Sequence, residues 1–239
     1  MEITGAKILF ETPIFGGIRI TETTAVGWGV VVVLIGLVKF FTSRVEKVPR
    51  GKQVLAEMFV DFIYGQVESV AGKRSLGIAP YIGTIFLMSI TSSLSAVVGV
   101  RPPTVDINTT AAWSLVTFFL IAATKIKAHG FFGHLKEYLN PLNIVDVLAL
   151  PVSMALRHFS NILSGFILME LIGLALAELS SLALGAFGEY FPVFRAGIPA
   201  VLSLYFDFFG SFIQAFVFIM LTMVFVGMAS EKKEEHENI

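Results

Sequence analysis

Apolar residues come in long charge-free runs separated by short charged clusters. Thr24 to Phe41 is one run, interrupted only by Lys39 near its end. Ser75 to Val100 and Ile107 to Thr124 are two more, both without charge. A hydrocarbon core of ~30 Å needs about 20 apolar residues as helix. The pattern therefore predicts membrane spans over 24–43, 75–101 and 107–124. Lys39 stands where a lysine can snorkel to the interface. Pro80 falls in the first turns of the second span, where proline is tolerated.

Between the first two runs the period changes. Val54, Leu55, Met58, Phe59, Phe62, Ile63, Val67 and Val70 recur at helical spacing, with Glu57, Asp61 and Glu68 on other faces. This predicts an amphipathic helix over 50–72 lying along the membrane surface. The last hundred residues differ again. Between Val147 and Gly188 only Arg157, His158, Glu170 and Glu178 interrupt the apolar composition, and between Ala196 and Ser230 the sole charge is Asp207. As helix, each stretch exceeds about 50 Å at ~1.5 Å per residue. Each is therefore either two short helices or one steeply tilted helix. No proline divides 152–188, and Pro199 falls near the start of the second stretch. We read two long tilted helices, 143–188 and 195–230, joined as a hairpin.

The mixed, polar residues 1–23 read as an external N-terminal segment without the pattern of a signal peptide, and 231–239 as a charged cytoplasmic tail. The expected fold is thus an all-α polytopic membrane protein with a single membrane domain over 1–239. It has about five membrane-embedded helices plus one interfacial amphipathic helix, and its last two helices are long and steeply tilted.

Composition supports this. Only 15% of residues are charged, against about a quarter in soluble domains. A net charge of -1 gives no global attraction to nucleic acid. The absence of cysteine excludes disulfides, thiol nucleophiles and thiolate metal sites. Positive charge sets the orientation. The clusters at 44–52, 73–74 and 125–136 all fall on one side, and Arg101 stands alone on the other. That predicts an external N-terminus and a cytoplasmic C-terminus. The compact N-terminal segment points to a bacterial cell membrane.

Arg157 is the sharpest chemical feature. A mid-membrane arginine costs about 2.5–3.5 kcal/mol on insertion scales, and a guanidinium does not escape by neutralising. It requires an anionic partner or water, as a structural ion pair or as part of a transport path. Ser153, Arg157, Ser160, Asn161 and Ser164 share one side of the helix, a stripe of small polar residues around one cation. Such a stripe suits a partner helix that brings a carboxylate close.

On the second long helix Ser203, Asp207 and Gln214 fall within about 20° of one line. This polar track either hydrogen-bonds between helices or faces a wet cavity. Glu170 and Glu178 lie toward the outer end of the first long helix, as inlet carboxylates or, for Glu178, simply at the interface. Asp146 near the inner start is a vestibule carboxylate or a dipole partner. His129 and His134 lack companion ligands for a resident metal. There is no phosphate loop and no nucleophile elbow. The set of one fixed cation with carboxylates and amides moves ions rather than making bonds. No cofactor is expected.

Pro151-Val-Ser-Met-Ala-Leu-Arg157-His-Phe-Ser-Asn161 resembles the signature of subunit a of rotary ATP synthases, a Pro-x-Ser-x-x-x-Arg-Leu-Phe-Gly-Asn run. Ile213-Gln214-Ala215-Phe216 and the following residues resemble that family's other conserved helix, and Pro103-Thr-Val-Asp106-Ile-Asn108 resembles its external loop. The resemblance implies a stator against which a ring of c subunits turns, each with one mid-membrane carboxylate. It also implies peripheral-stalk b subunits as partners. Two offset half-channels would pass H+ or Na+ to and from the ring, with Arg157 separating them and Asn161 and Gln214 beside it. ATP chemistry would lie on other subunits. Four positions depart from the pattern. His158 replaces leucine, Ser160 replaces glycine, Phe166 stands where many members carry an acid, and Asp207 where some carry histidine. Asp207 with Glu170 or Glu178 is the expected replacement for the missing acid, with transient Na+ possible near Asp207. The competing class is a secondary ion transporter, which calls for inverted repeats that the two halves do not display. A non-transporting scaffold would leave Arg157 without a reason to stay charged in lipid.

Overall fold

The charge-free runs fold as helices in the computed structural model. It describes residues 8–12, 18–43, 45–98, 100–130, 141–185 and 204–230. An antiparallel hairpin, β1 (Ile8–Thr12) and β2 (Ile18–Thr21), leads directly into α1 (Glu22–Phe41). Then come α2 (Lys52–Ala71), a 3-10 turn (Lys73–Ile78), α3 (Ala79–Leu94) and a short 3-10 turn (Pro103–Val105). The chain continues through α4 (Ile107–His129) and α5 (Pro141–Leu184). A π-helical turn (Leu204–Gly210) precedes α6 (Ser211–Ser230). The hairpin is an addition to the helices read from sequence.

Among the described residues five segments are long and apolar enough to cross a membrane: Glu22–Phe41, Lys73–Leu94, Ile107–Ala128, Leu163–Ala183 and Phe208–Ser230. The α2 helix is not one of them, because acids recur along it. Its Ile63, Val67 and Ala71 are buried in the main core, while Leu55, Met58 and Phe62 are exposed. One side of its apolar stripe therefore packs on the bundle and the other is left open, as suits a helix lying against lipid. At its start, buried Gln53 accepts from the Glu46 amide at 2.9 Å and donates to the Glu46 carbonyl at 2.9 Å and the Glu57 carboxylate at 2.7 Å. Lys52 Nζ lies 4.2 Å from the Phe40 ring centroid, a cation–π contact joining α1 to α2.

The core lies where α6 meets α2, α3 and α4. Ala215, Phe218, Ile219 and Met223 of α6 pack with Ile82, Ile85 and Phe86 of α3 and with Ile63 and Val67 of α2. Gly227 makes the tightest approach. A Cβ there would sit 3.1 Å from Ala71 Cα and 3.3 Å from the Val70 carbonyl oxygen.

The opposite end is tied by Asp106. Its Oδ1 accepts from the Asn108 amide at 3.0 Å, capping α4, and its Oδ2 accepts from Thr23 Oγ1 at 2.9 Å. One carboxylate thus holds the starts of α1 and α4. The buried Pro103–Val105 turn before it touches α1, α3, α4 and α5.

The α5 helix has 44 residues, or about 66 Å at 1.5 Å per residue. That is about twice a ~30 Å hydrocarbon core, so it crosses obliquely or projects beyond it. Pro151 removes one backbone donor but does not end the helix. The connection through 186–203 and the tail 231–239 lie outside the described residues.

Gly227→Ala is expected to destabilise the subunit by about 1–3 kcal/mol, because the contacting atoms are backbone and cannot turn aside. Gly36→Ala, with nothing within 4 Å of the added atom, should change stability by no more than about 0.5 kcal/mol. Thermal midpoints in detergent compare the two. Asp106→Ala should cost about 1–2 kcal/mol by removing the α4 cap, read from the same melts.

Candidate functional site

Helical register sorts the side chains of α5. At 3.6 residues per turn, Ser153, Arg157, Ser160, Ser164, Leu171, Glu178 and Leu182 fall within about 40° of one line. All of them are exposed. Ala155, Gly173 and Ser180 fall on the opposite line, and all three are buried. These three described back positions are small residues, which allow close packing. The neighbours of α5 are chiefly α4, then the Pro103–Val105 turn, α6 and the π-helical turn. Ser153, Arg157, Ser160 and Ser164 of the polar stripe are therefore on the exposed face of α5. Among the described residues Arg157 forms no ion pair and no hydrogen bond.

Glu178 shares this face with Arg157, about 31 Å further along at 1.5 Å per residue. Its carbonyl accepts from Ser181 Oγ at 2.7 Å. Glu170 is half-buried and lies about 100° away from the stripe. Asn161 and Asp146 belong to α5 by backbone, but their side chains lie outside the described residues, as does that of His158. Ser203 lies outside them altogether, and so does the side chain of Asp207.

The backbone around Asp207 alters one expectation. Leu204–Gly210 is π-helical, with i→i+5 hydrogen bonding that widens the turn. The single line through Ser203, Asp207 and Gln214 was counted for an unbroken α-helix and does not carry across this segment. Single π turns often mark functional sites. Just beyond it, Gln214 is buried at 6% exposure and engaged in an interaction.

The structure adds residues that the charge pattern did not single out. Ser89, Ser92 and Ser93 of α3 are buried, as are Thr110, Ser114 and Thr117 of α4 and Ser211 of α6. Most of these hydroxyls have partners. Thr110, Ser114 and Thr117 donate to carbonyls of their own helix, and Tyr81 OH meets Thr117 Oγ1 at 2.7 Å. Ser92 Oγ and Ser211 Oγ are buried without a hydrogen-bond partner among the described residues. The end of α3 touches the π-helical turn, and Ser211 directly follows that turn. A buried hydroxyl without a partner is costly, and such groups are hydrated or serve a function. Their signal in the sequence is weak, since serine in an apolar helix ordinarily bonds back to its own backbone. No group of three or more His, Cys, Asp or Glu able to hold a metal occurs among the described residues.

The family described as ATP synthase A chain matches residues 24–227. The chain belongs to that family. The relatives agree. Subunit a of the Moorella thermoacetica ATP synthase is 29% identical over 218 residues, covering 88% of this chain and 91% of the relative. A relative from Propionigenium modestum, named as sodium ion specific, is 31% identical over 265 residues, covering 94% and 84%. Another from Mycobacterium ulcerans is 32% identical over 230 residues, covering 85% and 84%. Membership makes this chain a membrane-embedded component of an ATP synthase that serves ion transport. It decides against the secondary-transporter class.

Ser92→Ala and Ser211→Ala should each leave the thermal midpoint unchanged or raised, because each removes a buried hydroxyl that no described group satisfies. A loss above about 1 kcal/mol in either melt would mean that the hydroxyl is held by a protein partner.

Proposed function

We propose that this subunit is the stator of the rotary motor and carries two offset half-channels separated by Arg157. The observation that carries the reading is the uncovered polar face of α5. Arg157 sits among Ser153, Ser160 and Ser164 on that face, where a helix from outside the chain can approach. A ring of c subunits supplies that helix, and its mid-membrane carboxylate gives up its ion when it meets the guanidinium. The permanent charge of Arg157 also repels cations, so ions do not leak directly from one half-channel to the other.

Acids flank Arg157 along the helix axis. Asp146 lies about 16 Å to one side, Glu170 about 20 Å and Glu178 about 31 Å to the other. Asp146 serves the inner path. Glu170, Glu178, Asp207 and Ser203 serve the outer path, and the buried hydroxyls of Ser92 and Ser211 hold water near the π-helical turn. Asn161 and Gln214 brace the arginine. The subunit is non-catalytic, since ATP chemistry takes place on other subunits, and peripheral-stalk b subunits hold it against the turning ring. It resides in the cell membrane of a bacterium, with its N-terminus outside and C-terminus in the cytoplasm. A potential of ~100 mV supplies ~2.3 kcal/mol for each charge moved, so several ions pass for each ATP.

The test uses the purified complex in sealed proteoliposomes. ATP-driven ion uptake should fall to background with Arg157→Ala, and retained pumping would overturn the assignment. Asp207→Asn and Glu170→Gln should each slow coupled transport, and wild-type rates for both would remove them from the outer path. Sodium uptake that survives a protonophore identifies Na+ as the coupling ion, as in the name of the Propionigenium modestum relative. Lumenal acidification that collapses with protonophore, without sodium uptake, identifies H+.

A further inference from the structure

A cleft of about 540 Å³ opens where the C-terminal ends of α2 and α6 meet, far from the arginine stripe in sequence and in role. Ser69, Lys73, Arg74, Val224, Met228 and Ser230 line it. Gly72 shapes its rim. With φ +80 it takes the left-handed conformation that turns the chain sharply out of α2 and sets Lys73 and Arg74 at the edge. The base is closed by Gly227 against Ala71 and by Ser75 Oγ donating to Ser230 Oγ at 3.3 Å.

Two features define what would fit. The rim is cationic. Arg74 has no ion pair among the described residues, and Lys73 has only exposed Glu68 at 3.5 Å. The wall is apolar. Val224 and Met228 are one helical turn apart on α6 and both exposed, Met228 at 64%. The depth is also fixed. The candidate spans Lys73–Leu94 and Phe208–Ser230 begin and end at this point, so the cations stand at the membrane–water boundary and the apolar wall runs into the hydrocarbon.

We propose that this cleft binds an anionic phospholipid, its phosphate on Lys73 and Arg74 and an acyl chain along Val224 and Met228. Basic pockets between helices at the membrane boundary recognise such headgroups. The charged tail 231–239 begins beside the cleft, but it would answer only the cationic rim and leave the apolar wall uncovered. A lipid answers both. The inference is independent of the transport reading.

Native mass spectrometry of the full-length chain in mixed micelles tests this, with dioleoyl-phosphatidylglycerol and dioleoyl-phosphatidylcholine as probes. The wild-type chain should retain phosphatidylglycerol over phosphatidylcholine by about tenfold or more. The Lys73→Gln/Arg74→Gln variant should lose that preference, and Lys73→Arg/Arg74→Lys should keep it. Lys47→Gln/Arg50→Gln makes the same change in charge elsewhere and should also keep it. Absence of preference in the wild type, or equal loss in both glutamine pairs, overturns the site. Displacement of the lipid by equimolar glycerol 1-phosphate would make it a site for free phosphate and overturn the lipid assignment. A tenfold gain in binding on deleting 231–239 would make the tail its occupant and overturn it as well.

Discussion

Arg157 places a permanent positive charge on a long, largely apolar helix, and the rest of the molecule is arranged around that constraint. No water in the hydrocarbon satisfies a guanidinium, and burying one without a partner is costly. The chain does not bury it. It packs the back of α5, through Ala155, Gly173 and Ser180, and leaves the line through Arg157 uncovered. The charge thereby stands on an exposed face of the chain. A bundle that satisfied Arg157 internally would be more self-sufficient and would have no such face.

The remaining helices give that arrangement a firm backing. The α6 helix is the most enclosed, with Ala215, Ile219, Met223 and Val226 at 0% exposure. It touches α2, α3 and α4, and its contact with α2 at Gly227 is close enough that backbone meets backbone. The α5 helix leans mainly on α4, and α4 is fixed at its start by the Asp106 cap. The exposed stripe is thus held by a chain of contacts running from α5 through α4 to α6. The π-helical turn, buried Gln214 and the hydroxyls of Ser92 and Ser211, which have no partner among the described residues, gather where α3 and the start of α6 meet.

The helices were legible because charge is so costly in lipid. Lys39, Lys73, Arg101, Lys125 and their neighbours mark where apolar runs stop, and the described helices begin and end within a few residues of them. The side of α5 on which Arg157 stands was legible from spacing alone, because a long α-helix keeps a regular register. The register beyond Asp207 was not, because seven residues switch from α to π hydrogen bonding and no residue type dictates that switch. The hairpin was hidden for a different reason. Ile18 to Thr21 alternates apolar and polar positions, but its partner begins with Ile8, Leu9 and Phe10 in succession, and two short strands give too few periods to read. Ser92 was hidden within a charge-free run, where serine is unremarkable until its own backbone proves not to hold it.

The Thr23–Asp106 hydrogen bond bears on the order in which the molecule is made. The two residues are 83 positions apart, so the partner that secures the start of α1 is synthesised long after α1 itself. The contacts of α1 with α2 and α3, which precede α4, leave most of its large side chains, including Trp28, Val32 and Phe40, exposed even in the finished fold. Its length and apolar character alone suit it to cross a bilayer. The capping carboxylate of α4 fastens the early helix to the late one. The α6 helix, later in the sequence than either, fills the centre around which α2, α3 and α4 pack.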